Sequence, residues 1–189
     1  MTPPDFLLER PVSESIIAVL RFAAFSLHLL FVLITLGTAI LSIAYFVNTW
    51  WRGKLKELRW DKEILRTFLA HKSLAVVLGV GPLLLIQVGY PVPFFSAINL
   101  MAPSWLLLIV LLVTAFLCMD FLGQRINVHH YLHLVLGVLG LAALLAVAGI
   151  FVAVLVTAEN PDRWAEIAAH DYRLPLELTV HWLFRYLHV

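Results

Sequence analysis

The stretch Tyr131–Thr157, YLHLVLGVLGLAALLAVAGIFVAVLVT, decides the fold of this chain. It contains no Asp, Glu, Lys or Arg, and it is longer than the roughly 20 residues that a helix needs to cross the hydrocarbon core of a bilayer. A helix that is apolar on every side is typical of a membrane span rather than of a soluble surface helix. The stretch therefore predicts a transmembrane helix over residues 131–157.

Three more apolar stretches have the same character, at about residues 21–47, 73–90 and 104–122. The whole composition agrees, since 62% of the 189 residues are hydrophobic and 13% are charged, whereas soluble domains carry about 25% charged residues. We predict an all-α integral membrane protein. Its single membrane domain, residues 1–189, is expected to be a bundle of four transmembrane helices.

The segment after the fourth span predicts two shorter helices. Asn160 followed by Pro161 is typical of a helix start, which favours an amphipathic helix over residues 161–170 on the outer surface. Residues 176–189, LELTVHWLFRYLHV, resemble the beginning of a fifth span but are too few to cross a bilayer. This incomplete fifth helix is expected to stay at the interface, to be covered by a partner, or to continue in a longer sequence.

The connections between the spans set the predicted orientation. Residues 91–103 carry no charge and three prolines, which predicts a tight external hairpin, whereas residues 51–72 predict a charged loop with a short helix. Lys and Arg collect in cytoplasmic loops. The side that holds more of them carries Arg52, Lys54, Lys56, Arg59, Lys62, Arg66, Lys72 and Arg125. We therefore expect the N-terminus outside, in a bacterial or archaeal cytoplasmic membrane.

Composition also excludes several function classes. The 13 Lys and Arg against 12 Asp and Glu give a net charge of +1, too little to attract nucleic acid. The single cysteine, Cys118, excludes a disulfide framework, a cysteine-ligated zinc or iron–sulfur centre and covalent haem attachment through CxxCH. HExxH, GxSxG and glycine-rich phosphate motifs do not occur, so hydrolases and nucleotide enzymes have no support.

The chain has eight histidines. In a sequence so poor in polar groups, they are the main candidates for binding a cofactor. His28 lies inside the first span and His181 lies early in the last apolar segment, both in the outer half of the membrane. Both are candidate axial ligands of haem iron, and Arg185 is a candidate partner for a haem propionate. The alternative for His28 is a core histidine that hydrogen-bonds a serine, a threonine or a carbonyl of a neighbouring helix.

A second group of histidines is expected at the inner edge of the membrane. His71 precedes the second span, and His130 and His133 open the fourth, so the topology predicts that they lie together as further cofactor-binding candidates. Gly137 and Gly140 share a helix face with His133 and would let a flat macrocycle approach the backbone. The alternatives are ordinary interfacial histidines, and glycines that serve close helix packing.

The run from His28 to Gly37, HLLFVLITLG, resembles the first helix of the large subunit of cytochrome bd quinol oxidases. Leu78–Gly81, Val128–His130 and Glu159–Pro161 are more loosely similar to later parts of that family's first half. The resemblance implies a bd-like cytochrome b subunit in which His28 and His181 ligate haem iron. Residues 104–119 contain no acidic side chain where the family carries buried glutamates, so we do not expect this chain to reduce oxygen by itself.

Three functions stay open at this point. The first is a haem b-binding subunit, with one or two haems and a quinone as a further candidate ligand, that links the quinone pool to an outer-side redox partner such as a cytochrome c. Another membrane subunit would complete its bd-like core, and the complex would oxidise quinol or reduce quinone. The second is a haem-free anchor or assembly subunit of a respiratory complex. The third is a small transporter, for which Gln87 and Thr114 are the few polar residues available.

Overall fold

The computed structural model describes residues 13–53, 59–124, 130–169 and 174–188, and within these ranges all regular structure is helical. The helices are α1 (Glu14–Trp51), α2 (Arg59–Gly89), α3 (Pro91–Leu100), α4 (Ala102–Gln124), α5 (His130–Glu159), α6 (Trp164–Ala169) and α7 (Leu176–His188). A short 3-10 helix, Pro161–Arg163, joins α5 to α6. The chain is an all-α protein in the part that the structure describes.

Three segments are long and apolar enough to cross a membrane: Ser15–Trp51, Ala102–Leu122 and Tyr131–Glu159. A fourth candidate is a bent pair, Ser73–Gly89 followed by Pro91–Leu100, whose axes differ by 110°. Many large apolar side chains on these helices are exposed, as lipid-facing residues are. These features indicate an integral membrane protein with three spans, or four if the bent pair counts as one.

Two connections differ from the expectations drawn from the sequence. Residues 59–72, in the segment expected to be a charged loop with a short helix, form the beginning of α2, because nothing in them interrupts a helix that continues into the apolar part. Residues 91–100, expected to be part of a hairpin, form α3. Pro91 occupies its first helical position, where a missing N–H costs nothing, and its Phe94 and Ala97 side chains are fully buried.

Helix α1 changes its neighbour along its length. Its first half packs against α2, where Ala24 faces Gly81. Its second half packs against α5, where Ile43 lies over Gly137 and Trp50 meets Tyr131 edge to face at 5.4 Å between ring centroids. Later residues of α1 contact earlier residues of α5, since Ile43 meets Gly137 and Trp50 meets Tyr131, so the two helices are antiparallel. Helix α1 thereby contacts both α2 and α5.

Three threonine hydroxyls of α1 are satisfied within the helix itself. The hydroxyls of Thr35, Thr38 and Thr49 donate hydrogen bonds to the carbonyl oxygens of Phe31, Ile34 and Tyr45, at 2.7, 2.8 and 2.8 Å. Such bonds to the preceding turn let a hydroxyl enter an apolar surrounding without an unpaired donor. Hydrogen bonds within the helix therefore account for these three threonines, and no ligand is needed to explain them.

The side chain of Asn160 hydrogen-bonds to the last turn of α5, which the sequence did not indicate. Asn160 was expected to cap the helix that follows it, but its side-chain N–H donates to the carbonyl oxygen of Val156 at 2.7 Å, back into α5. The Trp164 indole also returns to α5 and donates to the carbonyl oxygen of Thr157 at 2.8 Å. The helix expected over residues 161–170 begins as the 3-10 helix Pro161–Arg163 and continues as α6.

Candidate functional site

His28 lies between α1 and α2 and makes one hydrogen bond across that interface. Its Nδ1 is 2.9 Å from the carbonyl oxygen of Ala75. A carbonyl oxygen only accepts hydrogen bonds, so Nδ1 carries the hydrogen and donates it, and Nε2 keeps the ring's free lone pair. A metal-ligating histidine typically donates its other ring N–H in this way, which fixes the ring and raises its basicity.

Gly79 provides the space that the imidazole of His28 occupies. A Cβ atom at position 79 would lie 2.9 Å from Cε1 and 3.2 Å from Nδ1 of His28, closer than side-chain carbons normally approach. The side chain of His28 itself is only partly buried, and Val76 and Val80, which follow Ala75 and Gly79 on α2, are 38% and 49% exposed. The ring is therefore held at an edge of the bundle that lipid or a second subunit can reach.

Replacing Gly79 with alanine is expected to displace the imidazole of His28 and break its bond to Ala75. Relative to Gly81→Ala, which gains the same helix propensity, the loss should lower the free energy of unfolding by about 1 kcal/mol, the usual net value of one hydrogen bond. The matched control is Gly81→Ala, whose new Cβ would lie 4.0 Å from that of Ala24, an ordinary contact. Thermal unfolding in detergent measures both variants, and equal midpoints would contradict the close packing at Gly79.

His71 lies in the same interface as His28, one helical turn before Ala75 on α2. Its ring centroid is 5.8 Å from that of Phe31, and Phe31 is itself one turn from His28 on α1. The Nδ1 atom of His71 is buried and has no hydrogen-bond partner among the residues that the structure describes, a condition that is uncommon for a buried polar atom. His71, Ala75 and Gly79 recur every four residues, and that spacing is the sequence signal that points to this face.

His133 lies far from His71, in contrast to the expected inner-edge group. Its ring stacks on Phe46 with centroids 4.4 Å apart, and Phe46 is about 22 Å from Phe31 along α1 at 1.5 Å per residue. The expectation that His71 and His133 lie together is therefore wrong. The side chain of His130 lies outside the described residues, although its backbone begins α5.

The two glycines near His133 serve helix packing in the structure. Built Cβ atoms would lie 3.2 Å from Cγ1 of Ile43 at Gly137, and 3.0 Å from Cε of Met119 at Gly140. Small residues at a helix interface let two backbones approach closely in a membrane. The space beside Gly137 and Gly140 is thus filled by side chains of α1 and α4.

His181 and Arg185 lie on α7, which packs on α5. The side chain of His181 is exposed, and α7 contacts α5 between Leu145 and Glu159. His28 and His181 are therefore carried by different helix pairs. Arg185 has a carboxylate partner within the chain, because its Nη1 is 2.6 Å from Oε2 of Glu159.

A second ion-pair group surrounds Arg163 in the connection after α5. Its guanidinium is 2.9 Å from Oε2 of Glu166 and 2.7 Å from Oε2 of Glu177, so it joins α6 to the start of α7. The hydrogen bond to Glu166 and the negative charge of Glu177 raise the pKa of Arg163 above its ordinary value. Arg163 consequently stays charged, and these pairs mark the water-exposed end of the bundle.

Comparison with protein-family models, with curated proteins and with solved structures found no match to this chain. Among the described residues, no three His, Cys, Asp or Glu side chains come together as ligands of a metal ion would. The resemblance to cytochrome bd stays a prediction from the sequence. Of the predicted site residues, His28 and His71 are the two that one helix interface brings close.

Proposed function

We propose that this chain is a membrane subunit that binds haem b through His28 and carries electrons between the quinone pool and a redox partner on the side of its N-terminus. The observation that carries the proposal is the hydrogen bond from Nδ1 of His28 to the carbonyl oxygen of Ala75. It leaves Nε2 as the nitrogen that would bind haem iron, in the arrangement that ligating histidines use.

The residues around His28 fit such a group. The absence of a side chain at Gly79 leaves room for the imidazole of His28, and His71 brings a buried ring nitrogen, unpaired among the described residues, into the same interface. When bound, haem b supplies one-electron chemistry. The contribution of this chain is to hold the imidazole of His28 in one tautomer and to surround it with apolar side chains, both of which adjust a reduction potential.

The proposal includes a partner membrane subunit. We place it on the exposed surface of α2 that includes Val76 and Val80, next in sequence to the residues that contact His28, as the subunit that completes a bd-like core. The redox partner on the outer side and the quinone are carried over from the resemblance alone. Gel filtration of the purified complex tests the partner subunit, because a stable haem-loaded monomer would contradict it.

The competing function is a haem-free anchor or assembly subunit. The bond from His28 to Ala75 also supports this alternative, since it satisfies a histidine that packs between two helices and binds nothing. A dithionite-reduced minus air-oxidised visible spectrum of the purified membrane complex separates the two. A b-type alpha band that depends on this subunit is expected, and its absence would overturn haem binding.

A further inference from the structure

Arg21 lies on the same face of α1 as His28. The two residues are two turns apart in the helix, which is about 10 Å along its axis at 1.5 Å per residue. Both contact α2, since a Cβ at Gly89 would lie 3.4 Å from Nη1 of Arg21, and a Cβ at Gly79 would lie 2.9 Å from Cε1 of His28. Arg21 therefore lies at the end of the α1–α2 interface where α1 begins and α2 ends.

The guanidinium of Arg21 rests on an aromatic ring. Its Cζ atom is 5.1 Å from the centroid of the Tyr90 ring, which is within the range of a cation–π contact. Tyr90 is the residue between α2 and α3, and it is 53% exposed. Because an aromatic ring has no net charge, this contact fixes the position of the guanidinium and leaves its positive charge unbalanced.

No carboxylate among the described residues lies within ion-pair distance of Arg21. At the same end of the bundle, Arg163 pairs with Glu177 at 2.7 Å and Arg185 pairs with Glu159 at 2.6 Å. An arginine that is partly buried next to apolar helices normally has an acidic partner, and its planar fork matches a carboxylate or a phosphate. The N–H donors of Arg21, which is partly buried, are therefore suited to an acidic group from a ligand.

A haem at His28 would bring acidic groups to this end of the interface. Haem b carries two propionate carboxylates on one edge of its ring, several ångströms from the iron. The separation of Arg21 and His28, about 10 Å along α1, is comparable to the distance between the iron and these carboxylates. Both residues also face α2, so one ligand in that interface can contact both of them.

We propose that Arg21 pairs with a propionate of the haem held by His28, and that Tyr90 positions its guanidinium; this inference rests on the haem binding proposed above. The sequence favoured Arg185 for the same role. In the structure Arg185 already pairs with Glu159 and lies on α7, which packs on α5. Arg21 would thus hold the haem at a second point, and its positive charge would favour the reduced state of the iron.

Arg21→Gln in the purified membrane complex tests the pairing through two measurements: the rate of haem transfer to excess apomyoglobin, and the midpoint potential of the b-type band. Glutamine keeps hydrogen-bond donors but has no charge. We expect several-fold faster haem release and a lower midpoint potential. Arg21→Lys keeps the charge without the planar fork, so its values should lie between those of Arg21→Gln and the unchanged protein. Arg185→Gln is the matched control and should change neither quantity.

Loading the complex with haem dimethyl ester, whose propionates cannot ionise, identifies the group that Arg21 contacts. The ester should leave at the same rate with and without Arg21→Gln. If Arg21→Gln accelerates release of the ester as much as release of haem, Arg21 acts on a lipid headgroup or on the fold, and the inference is overturned.

Two further results separate this inference from haem binding itself. An unchanged release rate and potential in Arg21→Gln, or equal changes in Arg21→Gln and Arg185→Gln, would overturn the role of Arg21 alone, because the b-type band and its dependence on His28 would persist. Absence of the band from the unchanged complex would overturn both proposals.

Discussion

Replacing His28 with leucine is expected to remove at least about nine tenths of the b-type alpha band from the reduced-minus-oxidised spectrum of the purified complex. Leucine has a similar apolar volume but no nitrogen, and iron that loses an axial imidazole loses the ligand that fixes its position. The subunit must still be present on a gel, so that loss of haem is separated from loss of protein. An unchanged band in a fully assembled complex would assign the haem to a partner.

His28→Gln is the control that distinguishes ligation from a structural role. A glutamine amide can donate a hydrogen bond to the carbonyl oxygen of Ala75 but does not replace an imidazole on iron. If His28 is structural, His28→Gln should keep both assembly and spectrum. If it is a ligand, the variant should assemble and lose the band. His71→Ala and His181→Ala are measured alongside, and we expect the largest loss at His28, because His181 lies exposed on α7.

Replacing Gly140 with leucine is expected to destabilise the α4–α5 packing by about 1–3 kcal/mol, the usual cost of overfilling a close-packed interior. A Cβ at position 140 alone would lie 3.0 Å from Cε of Met119 and 3.3 Å from Cβ of Cys118. The rest of a leucine side chain has no room unless the two helices move apart. Unfolding in detergent, followed by circular dichroism or tryptophan fluorescence, measures the change.

Gly37→Leu is the matched control for the Gly140 variant. Gly37 is also a mid-helix glycine, but a Cβ there would meet nothing within 4 Å. Leucine has a better helix propensity than glycine by roughly 0.8–1 kcal/mol, so this variant should be neutral or slightly more stable. If both variants are destabilised equally, the close contact of α4 and α5 at Gly140 is not the cause.

Helix α2 is longer than its hydropathy predicts. Its apolar part was predicted at 73–90, but the helix begins at Arg59. Hydropathy reports which residues prefer lipid, and it carries no information on whether a charged helical segment continues into an apolar one. The prolines near residue 91 correctly indicated a break in the helix. Whether a hairpin or a short helix follows the break depended on the buried space that Phe94 and Ala97 occupy.

For the histidines, the sequence indicated which residue needs a partner but not which partner it has. His28 was identified from the sequence because an imidazole inside an apolar helix is expensive and needs a partner. The partner is the backbone carbonyl of Ala75, and every residue has a backbone carbonyl, so no pattern could single it out. The grouping of His71 with His133 was wrong, because proximity to a predicted membrane edge replaced knowledge of which helix faces meet.

The sequence alone determined that the chain forms long apolar helices suited to a membrane, since the preference of each side chain for lipid is a property of that residue and needs no neighbour. Only the tertiary structure decided that His28 bonds to α2, that His71 shares its interface and that α7 packs on α5 with one face. These facts depend on the rotation and axial offset of each helix. When a helix is apolar on all sides, its rotation and axial offset are decided by local packing, such as the close contacts at Gly79 and Gly140.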